Sequence, residues 1–415
     1  MKRQSTNGTK QQSAQDAGWT PKYHEQTRIW LENQSTTLSD KPLHPVIKEF
    51  QDLIENNPLI RMALNKMIEQ VPEWYSDFHS SEYHNTYLKD VGQMLCLIND
   101  VLDSAPEFNQ TALVGCPINA ILDWCMFTPA GCSVFANKEI NGLLRKILQT
   151  WKAFLDSPAS LYVLNSSSKG WQCEDALKQL NMADYQYDPT DKHWGFKSWN
   201  DFFSRRLKAN ARPIAEPDNK RVIVNACDSA VYKISRNVQK KANFWIKEQP
   251  YSVQDMLAGS WDTDYFTGGD VYQAFLCALD YHRWHSPITG IVKKLHKQPG
   301  TYYSEAESEG ADPGGPDKSQ GYIAHVATRA MIYIESDDPS IGVVCVMFVG
   351  MAEISSCEFN AEITVGSKVS KGQELGCFQY GGSTYCMLFK AGAIKEFHTF
   401  EQNKMKMGQE IARAN

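Results

Sequence analysis

Between Pro45 and Asp156, apolar residues recur every three or four positions, which is the spacing of one buried helix face. The stripes comprise Phe50, Leu53, Ile54; Ile60, Leu64, Met67, Ile68, Val71; Leu88, Val91, Leu95, Ile98, Leu102; Ile118, Ile121, Leu122, Cys125; and Leu143, Leu144, Ile147, Leu148, Trp151, Phe154, Leu155. Prolines separate these stripes, at Pro58, Pro72, Pro106, Pro117 and Pro158. Because each stripe presents one apolar face, we predict a helical N-terminal domain over residues 19–165.

After Arg212-Pro213 the pattern changes to short β-branched or aromatic runs bounded by Gly, Pro and Asp, which is typical of strands. The predicted strands are Val222–Val224, Ala230–Ile234, Val271–Leu279, Gly290–Leu295, Ala330–Glu335 and Val343–Val349. The segment Ala361–Gly376 alternates strand and turn, and is similar to half of a biotinyl-type sandwich. We therefore predict an α+β chain, with a mostly antiparallel β-sandwich or barrel over residues 190–415 as its catalytic domain.

Two stretches lack the apolar residues needed for a core. Residues 1–18 are rich in Gln, Ser and Thr, and we predict a disordered N-terminus. Residues 303–322 carry almost no large apolar side chain between their tyrosines, which indicates a long loop. This loop is interpreted either as a mobile segment or as a lid over the substrate path.

Composition and charge argue against a nucleic-acid-binding or membrane-spanning protein. A net charge of −6 without an extended basic stripe argues against nucleic acid as a partner. The longest apolar run, Val343–Met351, is too short to span a membrane, and no targeting signal opens the chain, so we expect a cytoplasmic protein. The eleven cysteines are irregularly spaced without a Cys-x-x-Cys pair, which predicts buried reduced thiols.

The stretch Tyr380–Tyr385, with the sequence Tyr-Gly-Gly-Ser-Thr-Tyr, carries the candidate chemistry. Glycine permits a strained turn in which the Ser383 hydroxyl attacks the Gly382 carbonyl. The resulting ester eliminates to leave a dehydroalanine, which hydrolyses to ammonia and a pyruvoyl group on the new N-terminus. Most Gly/Ser clusters are plain turns, so this interpretation depends on partners elsewhere in the chain.

Those partners lie in Asn225–Ser229 and Asp280–Pro287, which precede Gly382–Thr384 along the chain. Taken in this order, the three segments resemble the phosphatidylserine decarboxylase family of pyruvoyl enzymes. The matching segments are Asn200–Lys208, Ala211–Ile214, Asn225–Ser229, Asp280–Pro287, Phe348–Gly350 and Gly382–Thr384. The resemblance covers roughly residues 195–400. Gly381 stands where the family usually has leucine, and Asp228 lies in Ala-Cys-Asp-Ser where the family commonly has Ala-Asp-Gly.

The resemblance implies a role for each reacting residue. Ser383 would become the covalent pyruvoyl cofactor, with cleavage between Gly382 and Ser383. His285 would be the base for self-cleavage, with Asp228 as its partner, and His282 would donate a proton to the decarboxylated carbon. The pyruvoyl ketone condenses with an amine substrate and takes up the electrons that decarboxylation releases. The two cleaved chains are expected to remain associated.

Residues 20–190 look most like a soluble fungal branch of this family that includes an L-tryptophan decarboxylase. The shared features include Ile47-Lys48-Glu49-Phe50 and the segment Gly350–Cys357. We therefore expect a decarboxylase of a small soluble amino acid, with an aromatic side chain, that serves amine biosynthesis.

Three alternatives remain open at this point. The first is decarboxylation of phosphatidylserine to phosphatidylethanolamine, which requires a membrane-binding element that the sequence does not display. The second is a binding protein that has lost the chemistry, which the intact Asp228, His285 and Ser383 argue against. The third is a metal site at His282 and His285, but no further ligand follows at a recognisable spacing, so we predict no metal.

Overall fold

The computed structural model describes residues 21–36, 41–74, 88–109, 116–242, 251–277, 279–306, 319–353 and 356–415. The predicted disordered segment 1–18 and residues 307–318 of the predicted loop lie outside these ranges. The loop is shorter than predicted at its C-terminal side, because Gln320–Val326 is a helix.

The described N-terminal part is helical, and its helices follow the apolar stripes. They are α1 (Pro21–Thr36), α2 (Pro45–Asn56), α3 (Pro58–Trp74), α4 (Val91–Val101), α5 (Pro117–Met126), α6 (Pro129–Ala136), α7 (Lys138–Leu155), α8 (Glu174–Leu180) and α9 (Trp199–Phe203). Helices α1, α2, α3, α5 and α6 begin with proline, where the missing N–H has no intrahelical acceptor to lose. Pro72 follows the apolar stripe that ends at Val71, but it lies inside α3, which continues through it to Trp74.

Within the described ranges, three short helices lie among the strands: α10 (Val253–Leu257), α11 (Thr263–Phe266) and α12 (Gln320–Val326). The strands are β1 (Val222–Val224), β2 (Ser229–Ser235), β3 (Asp270–Leu276), β4 (Arg283–His285), β5 (Gly290–Gln298), β6 (Arg329–Ser336), β7 (Val343–Met351), β8 (Ser356–Phe359), β9 (Lys368–Val369), β10 (Glu374–Gln379), β11 (Gly382–Phe389), β12 (Ile394–Phe397), β13 (Lys404–Met405) and β14 (Glu410–Ala414).

Within the described ranges these strands form three sheets. An eight-stranded sheet has the order β13-β2-β3-β11-β7-β6-β5-β9, and two three-stranded sheets have the orders β4-β10-β8 and β1-β14-β12. Paired strands are antiparallel, as in β6 with β7 and β11 with β3. The α+β prediction is confirmed, although the sheets are not closed into a barrel. The limits proposed for the domains stay a prediction.

The helical core reaches into the sheet region. Its buried side chains run from Leu31 through Phe203 and also include Tyr281, Tyr303 and Tyr380. Tyr281 lies next to His282 and Tyr380 lies three residues before Ser383, so the helices cover one side of the candidate site. A second core fills the space between the sheets, and includes Trp284, Phe348 and Tyr385.

None of the eleven cysteines forms a disulfide, and six of them are buried. In the part of the chain that the structure describes, no helix combines the length and apolarity needed to cross a bilayer.

Candidate active site

Ser383 is the second residue of β11, a central strand of the large sheet. It pairs with Leu276 of β3 on one side and with Gly350 of β7 on the other. The side chain is fully buried. Ser383 therefore lies on a strand and not on the expected turn, which ends at Gly381 because β11 begins at Gly382.

Gly381 provides the change of direction before this strand. Its φ of 137° lies in the region that favours glycine, so a leucine at this position would be strained. The departure from the family pattern at Gly381 thus has a local conformational reason.

His282 is the histidine that contacts Ser383. Its Nδ1 lies 3.4 Å from the Ser383 Oγ, and both side chains are fully buried. The imidazole stacks on the Phe203 ring, with centroids 4.1 Å apart and planes at 23°. This stacking fixes the plane of the ring and keeps one nitrogen directed at the serine.

His285 lies on β4 with both ring nitrogens occupied. Its Nδ1 is 2.8 Å from the Gly372 carbonyl oxygen, and its Nε2 is 2.8 Å from the Tyr281 hydroxyl. Because a carbonyl can only accept, Nδ1 carries the hydrogen, and the unprotonated Nε2 accepts from Tyr281. Burial lowers the pKa of His285, although the Gly372 hydrogen bond and the Glu374 charge act in the opposite direction. The ring is therefore neutral near pH 7.

Asp228 is held by Arg212. Arg212 Nε donates to both carboxylate oxygens at 3.0 Å, and Nη2 donates to Oδ2 at 2.6 Å. The Met407 backbone N–H also donates to Oδ1 at 2.8 Å. Asn225 braces the same loop by donating to the Cys227 carbonyl at 2.5 Å. The carboxylate is thus saturated with donors and fixed in place.

The structure brings His282 and Ser383 together, but it does not join the predicted Asp228, His285 and Ser383 by hydrogen bonds. Among the described contacts, His285 bonds to Tyr281 and Gly372, while Asp228 bonds to Arg212 and Met407. Asp228 influences His285 through its charge, which acts to raise the histidine pKa. The roles implied for these residues stay a prediction.

Several residues around the site were not singled out from the sequence. Phe203 and Arg212 lie within the matching segments, yet nothing in their spacing shows that they contact His282 and Asp228. Tyr281 directly precedes His282 and lies four residues before His285. This short spacing was the one local sign in the sequence that Tyr281 could contact His285. The contact between Gly372 and His285 could not be predicted from local sequence, because the two residues are 87 positions apart along the chain.

The residues present fit a pyruvoyl group made from Ser383. The serine is sequestered from solvent, a histidine nitrogen lies beside its oxygen, and Gly381, two residues earlier, has a φ that favours glycine. Among the described residues, no group of three or more His, Cys, Asp and Glu side chains is arranged to hold a metal ion.

Two family models match this chain, and both are described as phosphatidylserine decarboxylase. They cover residues 44–180 and 199–413. The decarboxylase iboD of Amanita muscaria is 38% identical over 303 residues, which is 68% of this chain and 86% of that protein. The L-tryptophan decarboxylase of Psilocybe cubensis is 32% identical over 82% of this chain and 79% of its own length.

More distant relatives share less of the chain. The phosphatidylserine decarboxylase proenzyme 3 of Schizosaccharomyces pombe is 30% identical over 52% of this chain, and the match covers 22% of that protein.

Proposed function

Because the chain belongs to the phosphatidylserine decarboxylase family, we propose that it is a pyruvoyl-dependent decarboxylase of a free amino acid, activated by cleavage between Gly382 and Ser383. The observation that carries this proposal is the buried Ser383 hydroxyl beside His282 Nδ1, at 3.4 Å, directly after two glycines. When formed, the pyruvoyl group supplies the electron sink that decarboxylation needs.

The protein's own residues have two tasks in this proposal. In maturation, a neutral imidazole takes the Ser383 hydroxyl proton while the oxygen attacks the Gly382 carbonyl carbon. The family resemblance gives this task to His285. In turnover, His282 lies beside the reacting position and returns a proton to the carbon that has lost carbon dioxide. Burial of both histidines excludes water from these transfers.

We propose an aromatic amino acid, such as L-tryptophan, as the substrate. Two L-tryptophan decarboxylases match over 82% of this chain, whereas five phosphatidylserine decarboxylase proenzymes match over 48–61% of it. Aromatic rings also cluster beside His282, since Tyr380 packs edge-on against Phe203 at 5.1 Å and Trp199 at 5.7 Å. An aromatic substrate would be compatible with such a wall. We place this reaction in the cytoplasm.

Carbon dioxide release from the purified protein tests the proposal. L-tryptophan should be decarboxylated without added pyridoxal phosphate, and treatment with hydrazine or borohydride should abolish the activity. The Ser383→Ala variant, which cannot form the ketone, is the matched control and should be inactive.

The second candidate is phosphatidylserine, which the description of both family models favours. Turnover of phosphatidylserine vesicles without activity on any free aromatic amino acid would support it and would contradict our choice. Turnover of a non-aromatic amino acid alone would retain the mechanism and refute the aromatic substrate.

A further inference from the structure

A group of buried polar side chains lies where the helical part meets the end of β7. Glu353 follows the last residue of β7 by two positions, Asn119 and Asp123 lie on α5, and Tyr303 comes from the segment before residue 307. Each of these four side chains is at most 2% exposed. We call them the Glu353 cluster.

The cluster is held together by α5. The backbone N–H of Asn119 donates to Glu353 Oε1 at 2.7 Å, so the carboxyl group sits at the N-terminal end of that helix. Asp123 lies one turn further along α5, on the same face as Asn119. The charge of Glu353 acts on the Tyr303 phenol and raises its pKa, after the larger effect of burial.

Several polar atoms of the cluster have no hydrogen-bond partner among the described residues. They are Glu353 Oε2, Asn119 Oδ1, the Tyr303 hydroxyl and both carboxyl oxygens of Asp123. Buried polar atoms are rarely left unpaired in folded proteins, so a concentration of them at one place needs an explanation. A ligand that brings a hydrogen-bond donor would provide one.

The chemistry of these atoms selects the ligand. Apart from the phenol, they are carboxyl and amide oxygens, which accept hydrogen bonds. Burial raises the pKa of Glu353 to about 7, although the Asn119 N–H and the Cys116 thiol oppose the shift. Burial and the charge of Glu305 raise the pKa of Asp123. An uncharged N–H donor suits this site, because it supplies a hydrogen without a further buried charge.

The cluster lies within reach of the reacting serine. Ser383 pairs with Gly350 across the sheet, and Glu353 is three residues beyond Gly350. Three residues span at most roughly 11 Å, so the two Cα atoms of Gly350 and Glu353 are no further apart than that.

Aromatic rings connect the two places. His282 stacks on Phe203, and Phe203 packs edge-on against Tyr380 with centroids 5.1 Å apart. The Glu353 charge in turn acts on the Tyr380 phenol. A flat side chain attached to a substrate held at Ser383 would pass along these rings toward Glu353.

We propose that Glu353 determines side-chain specificity, with its Oε2 accepting a hydrogen bond from a ring N–H of the substrate. The inference rests on the proposed function, and for L-tryptophan the donor is the indole N–H. The substrate amine and carboxyl group remain at Ser383, away from this contact.

The Glu353→Gln variant tests the contact with little change of shape. Its amide oxygen still accepts from Asn119, while its NH₂ group replaces the oxygen that accepts from the substrate. We expect kcat/KM for L-tryptophan to fall about 10–100-fold, the usual effect of leaving a buried hydrogen-bond donor without its acceptor. The value for benzothienylalanine, in which sulfur replaces the indole N–H, should not change. Glu335→Gln, an exposed glutamate on β6, is the matched control and should leave both values unchanged.

A binding measurement separates recognition from turnover. In the uncut Ser383→Ala chain, calorimetry should show that Glu353→Gln weakens tryptamine binding by the same factor, with no effect on the benzothiophene analogue of tryptamine. Equal losses for both compounds would mean that Glu353 only caps α5, and would overturn the inference. A wild-type enzyme that turns over neither amino acid would overturn the proposed function and this inference together, before any variant is compared.

Discussion

The Tyr281 hydroxyl donates to His285 Nε2 at 2.8 Å, and this bond occupies the lone pair with which His285 would act as a base. The opposite nitrogen is fixed by Gly372, so the imidazole cannot present another basic atom without rotating. The base predicted for self-cleavage is therefore masked by its own neighbour. Tyr281 must either pass a proton to it or move aside.

Removing the Tyr281 hydroxyl should shift the pH dependence of self-cleavage. The hydrogen bond to Nε2 stabilises neutral His285, so Tyr281→Phe should raise the histidine pKa. His285 can act as a base only when its imidazole is neutral. As the pH is lowered, the variant should therefore stop cleaving itself at a higher pH than the wild type does. Time courses on denaturing gels across pH 5–8 measure this shift. Tyr185→Phe, whose ring lies 6.2 Å from that of Tyr281, is the control and should keep the wild-type profile.

Maturation should produce residues 1–382 and 383–415. The smaller chain should be blocked to Edman degradation, and its mass should be lower than that of a serine-initiated fragment by the elements of ammonia. Mass spectrometry of the purified protein decides the matter. An active enzyme that runs as one unprocessed chain would exclude the pyruvoyl mechanism.

Replacing His282 and replacing His285 should impair different steps. His285→Ala should leave mostly uncut chain, whereas His282→Ala should be cut but decarboxylate slowly, by ~10²–10⁴-fold, because it lacks the proton donor. A gel and a carbon dioxide assay on each variant separate the tasks. Because His282 lies 3.4 Å from Ser383, it is the alternative candidate for the maturation base. Uncut His282→Ala and normally cut His285→Ala would make His282 the maturation base.

Arg212 should contribute more to stability than a typical surface arginine. Its side chain is 5% exposed and pairs with both Asp228 and Asp184 at 2.6 Å. Arg212→Ala leaves two carboxylates without their partner, and breaking such a buried pair costs about 3–5 kcal/mol. Urea unfolding in the Ser383→Ala background measures this loss. Lys178→Ala, which breaks an exposed ion pair on α8, should leave the midpoint unchanged.

Stability should depend on pH through His325 of α12. Burial lowers its pKa to about 4, while its Nδ1 contacts the Gly321 carbonyl and its Nε2 accepts from the Ser252 N–H. Between pH 6.5 and 4 the unfolded chain binds a proton that the folded chain excludes, so the free energy of unfolding falls as pH falls through this window. The loss amounts to up to roughly 3 kcal/mol and levels off below about pH 4.

Urea titrations of the Ser383→Ala chain at several pH values check this expectation. The stability difference between the parent and His325→Gln should shrink toward acid pH. His296→Gln, at a half-buried position on β5, should retain the parent's pH dependence. A constant difference for His325→Gln would contradict the prediction.

Local sequence pattern predicted the elements whose own side chains are buried, and missed features that depend on distant parts of the chain. The run Val343–Val349 became β7 because every side chain in it is buried, whatever the neighbouring strands are. By contrast, Gly382 has low strand propensity. It is extended because β11 pairs with β7 from Gly382 onward and with β3 from Ser383 onward. The site shows the same division. His282 and Ser383 were identified by resemblance, but the pairing of His285 with Gly372 depends on a chain crossing that no local pattern encodes.

Because the proposed cleavage lies at the start of β11, the two chains of the cleaved molecule both contribute strands to the large sheet. Residues 383–415 provide β11 and β13 to the large sheet, and β12 and β14 to the sheet that contains β1. If this fragment departed, β3 and β7 would each become an open strand edge, ready to pair with another molecule. The mature enzyme is thus expected to be an obligate two-chain assembly, in which loss of the short chain leads to aggregation. If the two fragments were produced separately, the short one would have to insert a strand into the middle of a finished sheet.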